Sequence, residues 1–236
     1  MAHKMVTETT NVEEEQILPK DRYIACGMPT AGTISTYTTT ALLKMGSLNM
    51  DLITATSCLI SLNRNIIVQR FLDTTVKNEK GEDFKYTHLF FLDSDMTVPD
   101  NLPRLLASNE DIISGLYYGV LISPVTETNK VYGTALDFEG KYINKSQDKV
   151  VEAQRVPTGC LLVKREVFEK MPYPWFIEDP GKKVGESVGE DYNFSEKARA
   201  LGYKVHVDCG VPFGHLKTCY LSCGSSFELL DKPQRK

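Results

Sequence analysis

A pair of carboxylates directly follows a nearly continuous apolar run in the first half of the chain. Asp93 and Asp95 flank Ser94, and residues 88–92 before them read HLFFL. Such a run is typical of a strand that is buried on both faces of a parallel sheet, and ligands of open α/β sheets bind beyond the carboxyl ends of the strands. Carboxylates two residues apart suit Mg²⁺ or Mn²⁺, which keep coordination positions for phosphate oxygens. The alternative is that the three residues only begin a turn.

A second acidic pair, Glu190 and Asp191, precedes an amphipathic stretch that ends at Gly202. Acidic residues at a helix N-terminus complement the helix dipole, and this alone would explain the pair. A carboxylate at this position is also a candidate general base or ligand of an acceptor hydroxyl, provided that it reaches the proton it removes. His215 is a candidate ligand of a divalent ion, although a lone histidine is more often structural.

Two further side chains have types that suit a nucleotide-sugar or phosphate ligand. Arg64, preceded by Asn63, opens a helical stretch, where the helix dipole and the planar fork of donors suit a phosphate; the alternative is a solvated helix start. Trp175 lies in the segment PYPWF at residues 172–176, before a loop at residues 179–188. Aromatic side chains stack on sugar faces or bases, and the loop is able to order over a donor; the alternative is a hydrophobic plug.

The elements that must position these residues alternate between strand and helix in the first half of the chain. Apolar runs predict strands at residues 23–26, 52–55, 88–92, 112–115, 160–163 and 203–207. Helical spacing and capping signals predict helices around residues 42–45, 66–74, 102–106, 165–170 and 191–201. A surface loop is predicted at residues 77–85 and a hairpin at residues 131–136 and 141–144. The alternation predicts an α/β fold with a mostly parallel central sheet flanked by helices.

Size and composition bound the class of protein. The 236 residues fit one large α/β domain, predicted at residues 21–216, with a flexible acidic leader at 1–20 and an extension at 217–236. The formal net charge of −4 gives no global basic field that would attract nucleic acid. The six cysteines form no CxxC pair, and neither a secretory signal nor an apolar run of about 18 residues is present. These features predict a cytoplasmic protein with reduced thiols.

Taken together, the motifs resemble the GT-A glycosyltransferases, especially family-2-like enzymes, and the overall pattern is also similar to compact viral and phage glycosyltransferases. The resemblance covers residues 23–216, and its motifs follow the family's order. It implies that the donor lies against the loop after the first strand, the start of the second helix, the DxD motif and the small-residue stretch before the strand at 160–163. The donor-binding residues that it implies are Pro29, Thr30, Asn63, Arg64, Asp93, Ser94, Asp95, Thr158 and Gly159.

The resemblance also implies a fold and a reaction. The fold is the Rossmann-like GT-A fold, and the reaction moves one sugar from a nucleotide-diphosphate sugar, preferably a UDP-sugar, because the QxxRW-type motif of processive synthases is absent. Mn²⁺ or Mg²⁺ would be held by Asp93, Asp95 and His215. Asp191 would act as the base together with Glu190, and Glu190 and Trp175 would contact the acceptor. The acceptor stays open among a glycan, a protein, a small molecule and a hydroxylated base in viral DNA; a viral protein would act in the host cytoplasm.

Two other functions compete with glycosyl transfer. A sugar-1-phosphate nucleotidyltransferase shares the α/β architecture but needs a Gly-rich loop with Arg and Lys directly after the first strand, and residues 27–32 contain neither. A non-catalytic module that binds a sugar or nucleotide is the second alternative. The presence of both Asp93 and Asp95 together with Asp191 and His215 argues against it.

Overall fold

The computed structural model describes residues 18–19, 22–48, 50–77, 81–122, 128–183, 185–219 and 221–233. Most of the predicted leader at residues 1–20 therefore lies outside the described residues. The helices are α1 (Thr36–Met45), α2 (Ile60–Asp73), α3 (Leu102–Leu106), α4 (Arg165–Lys170) and α5 (Glu190–Ala200), with one 3₁₀ turn at Gly46–Leu48. The strands are β1 (Ile24–Thr30), β2 (Asp51–Thr56), β3 (Val76–Lys77), β4 (Asp83–Phe84), β5 (His88–Leu92), β6 (Met96–Thr97), β7 (Ile112–Leu116), β8 (Tyr118–Leu121), β9 (Thr128–Gly133), β10 (Val150–Glu152), β11 (Cys160–Lys164), β12 (His206–Pro212), β13 (Gly214–His215) and β14 (Ser226–Leu229).

A seven-stranded sheet in the order β10-β12-β7-β11-β5-β1-β2 forms the centre of the molecule. The pairs β2–β1, β1–β5 and β7–β12 are parallel, whereas β11 runs antiparallel to both of its neighbours and β10 runs antiparallel to β12. The prediction of a mostly parallel sheet flanked by helices is confirmed. The carboxyl ends of β1, β2 and β5 consequently meet at one edge of the sheet.

The central strand β5 explains why the sheet is buried on both faces. All five of its residues are buried, and because side chains alternate along a strand, the four apolar ones divide between two hydrophobic clusters. Leu89 and Phe91 pack with Phe71, Phe168 and Phe194 on the face covered by α2, α4 and α5. Phe90 and Leu92 belong to the cluster on the opposite face, which includes residues of α1 and α3. The apolar run before Asp93 thus fixes the position of that carboxylate from both sides.

The second half of the chain departs from the predicted elements. The predicted hairpin at 131–136 and 141–144 was wrong as a ladder, because β9 instead pairs with β8, and between Leu136 and Tyr142 there is a single bridge. The turn at residues 137–141 is present. The last strand of the sheet is β12, so it begins three residues later than the predicted strand and continues to Pro212. Within the predicted loop 77–85, the described ends form the short pair β3–β4.

The described part of the C-terminal extension packs on the small sheet formed by β8 and β9. β14 pairs with β9 in parallel, Leu230 is buried, and the backbone N–H of Tyr142 donates to the Asp231 carbonyl at 2.8 Å. The domain boundary at residue 216 stays a prediction. Among the helices of the described residues, none is long and apolar enough to cross a membrane.

Candidate active site

A buried arginine joins the end of β5 to the start of α5. Arg64, on the first turns of α2, donates through Nη2 to both carboxylate oxygens of Asp93 at 3.1 Å, and through Nη1 to Glu190 Oε1. The Arg64 side chain is 4% exposed. Burial lowers the pKa of this guanidinium, but Asp93, Glu190 and Asp191 outweigh that effect and raise it, so the group stays charged. A buried charge of this kind depends on its partners, and here it has two.

This arrangement alters the interpretation of Arg64. A donor phosphate was expected to meet a free guanidinium at the helix start, whereas the Arg64 side chain is buried and both of its terminal nitrogens already bind carboxylates. Arg64 therefore acts on the site through Asp93 and Glu190. Glu190 likewise points into the molecule toward Arg64, so its contribution is to hold the start of α5 against the end of β5.

Asp95 lies beside two basic side chains at the surface end of the same turn. Asp95 Oδ2 is 3.3 Å from His215 Nε2 and accepts a hydrogen bond from Lys217 Nζ at 2.9 Å. Burial raises the pKa of Asp95, but the hydrogen bonds from His215 and Lys217 outweigh it and lower the pKa to about 2. Asp95 is therefore an anion across the physiological pH range.

The short strands β6 and β13 bring His215 to Asp95 across 120 residues of sequence. They pair antiparallel with His215 opposite Met96, and the Leu216 N–H donates to the Asp95 carbonyl at 2.8 Å. Gly214 is required at this point, because a Cβ there would lie 2.3 Å from Thr97 Oγ1. The pairing explains why a lone histidine in the sequence becomes part of a cluster in the structure.

The chemistry of Asp95 and His215 fits a divalent cation bound together with a diphosphate. His215 Nδ1 lies 2.7 Å from the Tyr118 carbonyl, which only accepts, so Nδ1 carries a proton and Nε2 is the ring nitrogen that faces Asp95 and would be the cation ligand. Two adjacent ligands at about 2.1 Å from an octahedral ion lie about 3 Å apart, close to the spacing observed. The described residues contain no group of three or more His, Cys, Asp or Glu side chains placed to hold a metal. Such an ion would need phosphate oxygens to complete its shell.

Asp191 lies next to Glu190 but faces the opposite way. It lines a cavity of about 540 Å³ together with Tyr117, Tyr132, Tyr192, His215 and Lys217. Burial raises the pKa of Asp191 to about 6, and the charge of Glu190 adds to the effect, while Arg64 and the N–H of Tyr192 oppose it. A carboxylate with a pKa near neutrality is suited to accept a proton from a bound hydroxyl.

A second cavity, of about 250 Å³, lies at the carboxyl ends of β1, β2 and β5. The predicted donor-binding residues that line it are Pro29, Thr30, Asn63, Asp93, Ser94 and Asp95. The Asn63 amide donates to the Thr30 and Ser57 carbonyls at 3.1 and 3.0 Å, and thereby ties together the segments after β1 and β2. Because Asp95 lines this cavity and His215 lines the larger one, the two cavities meet at the Asp95–His215 pair.

Gly159 and Thr158 lie behind Asp93, where the chain leads into β11. The Gly159 carbonyl accepts the Asp93 N–H at 3.0 Å, and its own N–H donates to Tyr117 Oη at 3.1 Å. A Cβ on Gly159 would lie 2.6 Å from Tyr117 Oη and 3.2 Å from Asp93 Oδ2. Thr158 is 1% exposed. The small-residue stretch therefore supports Asp93 from beneath; whether it also contacts a donor stays a prediction.

Trp175 lies in the hydrophobic core, whereas a residue that contacts the acceptor was expected to face the site. It is 5% exposed within the hydrophobic core, and its Nε1–H donates to the Phe168 carbonyl at 2.9 Å. Its indole is therefore committed to packing and is not available to stack on an acceptor sugar. The position of Trp175 therefore fits the alternative interpretation of segment 172–176, in which its aromatic residues form a hydrophobic plug.

Three contributors to the site were missed from the sequence. Lys217 binds Asp95; Tyr132 lines the larger cavity; and the Tyr117 ring packs edge-on against His215, with its centroid 5.0 Å from that of the imidazole. Burial raises the pKa of Tyr117 well above its usual value, so it is a neutral hydrogen-bonding group. Its position directly after β7, at a strand end, was the one available signal.

Comparison with known proteins adds information about the fold. No protein-family model matches the chain, and no curated protein sequence matches it. The crystal structure of A197 from STIV aligns with a TM-score of 0.56 at 15% identity, over 83% of this chain and 86% of that one. GalNAc-T7 with UDP, GalNAc and Mn²⁺ aligns with a TM-score of 0.45 at 11% identity, over 88% of this chain and 46% of the other. The inositol-1-phosphate CTP transferase from T. maritima aligns with a TM-score of 0.43 at 13% identity, over 83% and 90%.

The likeness to A197 confirms the predicted fold class and nothing finer. The fold is an α/β fold with a mostly parallel central sheet flanked by helices. Because identity to A197 is 15%, that likeness speaks for architecture alone, and the other two scores are too low to carry an argument. Family 2 is not singled out within this fold.

Proposed function

We propose that the protein is a divalent-cation-dependent glycosyltransferase that moves one sugar from a nucleotide-diphosphate sugar to an acceptor hydroxyl. The observation that carries the proposal is the junction of the two cavities. The smaller one ends at Asp93 and Asp95, the larger one begins at His215 and contains Asp191, and the Asp95–His215 pair is their common wall. A donor in one cavity and an acceptor in the other would meet beside Asp95 and His215, the proposed cation ligands, and near Asp191, the proposed base.

The donor side would bind the nucleotide at the strand ends. Pro29, Thr30 and Ser94 line the smaller cavity, and Asn63 holds its two walls together. Asp95 and His215 would hold Mn²⁺ or Mg²⁺, which when bound would offset the negative charge that develops on the departing diphosphate. Lys217 supplies a further positive charge beside Asp95. A UDP-sugar is the donor that we propose to test first.

The acceptor side would supply the nucleophile. Asp191 would take the proton from the acceptor hydroxyl as its oxygen attacks the anomeric carbon, and the bond from that carbon to the diphosphate would break with its electron pair. Attack from the face opposite the leaving group inverts the anomeric centre. Arg64 and Glu190 would position Asp93 and the start of α5, so that base and donor keep their spacing.

The test is nucleotide release from a panel of UDP- and GDP-sugars with Mn²⁺, with and without candidate acceptors. We expect turnover that EDTA abolishes, and Asp95→Asn to lower it about 100-fold, the cost of one cation ligand. Asp100→Asn is the matched control, because this carboxylate is almost fully exposed and pairs only with Lys44 among the described residues. Equal activity of the Asp95 variant and the wild type would contradict the metal assignment.

The same assay separates the competing function. A nucleotidyltransferase would release pyrophosphate from a nucleoside triphosphate and a sugar phosphate, and would leave UDP-sugars unchanged. Release of nucleoside diphosphate from a UDP- or GDP-sugar supports the proposal, whereas pyrophosphate release in its place would overturn it. A module that only binds the donor would release neither product. The cytoplasmic location stays a prediction.

A further inference from the structure

The larger cavity is lined by tyrosines over much of its wall. Tyr117, Tyr132, Tyr142 and Tyr192 all line it, and its volume of about 540 Å³ lies in the range of small-molecule binding sites. These tyrosines come from four separated segments of the chain, so the aromatic lining is a product of the fold and not of one sequence motif. Asp191 stands at one side of this lining.

Tyr132 and Tyr142 form a tilted aromatic stack in the wall of the cavity. Their ring centroids are 4.8 Å apart and their planes are inclined by 33°. Both rings are partly exposed, and neither hydroxyl hydrogen-bonds to any residue of the described parts of the chain. By contrast, the Tyr192 hydroxyl donates to the Thr134 carbonyl at 2.7 Å. The pair therefore offers π faces together with two phenol groups that are free to bind a ligand.

The backbone around this pair holds the rings in place. A Cβ on Gly119 would lie 2.6 Å from Tyr132 Cζ and 2.7 Å from Tyr132 Oη, so the phenol end lies over the bare Cα of that glycine. β9 carries Tyr132 between β8 and β14, and the Asp231 carbonyl accepts the Tyr142 N–H. Such fixed aromatic rings bind a ligand with little loss of side-chain entropy.

The basic groups that line the cavity already have acidic partners. The Arg155 guanidinium pairs with Glu196 and lies 5.6 Å over the Tyr192 ring, while Lys217 binds Asp95. Within the described lining, no unpaired lysine or arginine stands ready to bind a phosphate. A DNA acceptor needs several such cations to bind its backbone, so the lining disfavours DNA and suits an uncharged ligand that carries hydroxyl groups.

We infer that this cavity binds the non-reducing end of a saccharide acceptor, with one pyranose ring stacked on an outer face of the Tyr132–Tyr142 pair and one of its hydroxyls at Asp191. The inference rests on the proposed function and names its acceptor. The C–H bonds on one face of a pyranose carry partial positive charge and meet the negative π face of an aromatic ring. The ring hydroxyls hydrogen-bond to the free phenols. In the transfer, the sugar oxygen forms the new bond to the donor's anomeric carbon, its proton goes to Asp191, and the electron pair of the broken bond leaves with the diphosphate.

The decisive experiment compares acceptor classes and cavity variants with the full-length protein. The panel contains oligosaccharides and phenyl glycosides, serine- and threonine-containing peptides, and duplex DNA with hydroxymethylated bases. We expect transfer to members of the saccharide class only. Tyr132→Ala and Tyr142→Ala should each raise the acceptor KM about tenfold, which corresponds to the loss of one stacking contact. Tyr37→Ala, an exposed tyrosine on α1, is the matched control.

Two outcomes would overturn the inference: transfer to DNA or peptide with none to saccharides, or saccharide transfer whose KM is unchanged in both tyrosine variants. If an alanine variant fails to fold, Tyr132→Leu keeps the apolar volume but removes the π face and the hydroxyl, and should raise KM similarly. Saturation-transfer NMR of saccharides on the wild-type protein and on Tyr132→Leu separates this inference from the proposed function. Binding that depends on Tyr132 without any turnover would support the saccharide site and contradict the transferase; turnover without saccharide binding would do the reverse.

Discussion

The two cavities that meet at Asp95 and His215 are built in different ways. The smaller one is formed by the carboxyl ends of adjacent parallel strands, and its geometry is fixed by backbone pairing and by the Asn63 amide. The larger one is assembled from side chains that lie between Tyr117 and Pro233. The geometry of the smaller cavity therefore follows from the sheet itself, whereas that of the larger cavity depends on how distant segments of the chain pack.

The largest expected effect falls on the larger cavity alone. Asp191→Asn removes the base but keeps the size of the side chain, so we expect kcat of transfer to fall about 1000-fold, within the usual contribution of a general base. Donor affinity should change less than twofold, because the smaller cavity does not include Asp191. Equilibrium binding of the donor and single-turnover kinetics measure the two quantities. A parallel loss of donor affinity would show that Asp191 supports the donor side and is not the base.

The next largest effect is expected at Arg64, which binds Asp93 of the smaller cavity and Glu190, the residue next to Asp191. Arg64→Met leaves the buried Glu190 and the partly buried Asp93 without their cation, and we expect a loss of about 3 kcal/mol in the free energy of unfolding. Urea denaturation measures it. Lys44→Met, which breaks an exposed pair with Asp100, should have a much smaller effect and is the control. Equal losses in the two variants would mean that the Arg64 pairs contribute no more than a surface pair.

The same contrast explains what could be predicted from the sequence. The strand before Asp93 and the helix that carries Arg64 have local periodicity, so several residues that line the smaller cavity were named from the sequence, and their binding of a donor stays a prediction. The role of Arg64 could not be predicted from the sequence, because its burial and its two ion pairs depend on the packing of distant segments. Trp175 was predicted at the acceptor site because aromatic residues stack on sugars. In the structure it lies in the core, where its indole N–H donates to the Phe168 carbonyl. The position of Tyr132 in the cavity depends on the pairing of β9 with β8. The sequence had instead predicted a hairpin between residues 131–136 and 141–144.

The smallest effect tests whether the two adjacent acids of α5 have separate roles. With a pKa of about 6, Asp191 is protonated below pH 6, and a base must be ionised, so kcat/KM should fall about tenfold for each pH unit below that value. The charge of Glu190 raises the pKa of Asp191 whereas Arg64 lowers it. Glu190→Gln removes the first effect and releases the guanidinium from one partner, and both changes move the acidic limb of the pH profile to lower pH. Glu166→Gln, an exposed acid on α4, should leave the limb in place. A limb that stays near pH 6 in Glu190→Gln, or that moves upward, would mean that another group controls the profile.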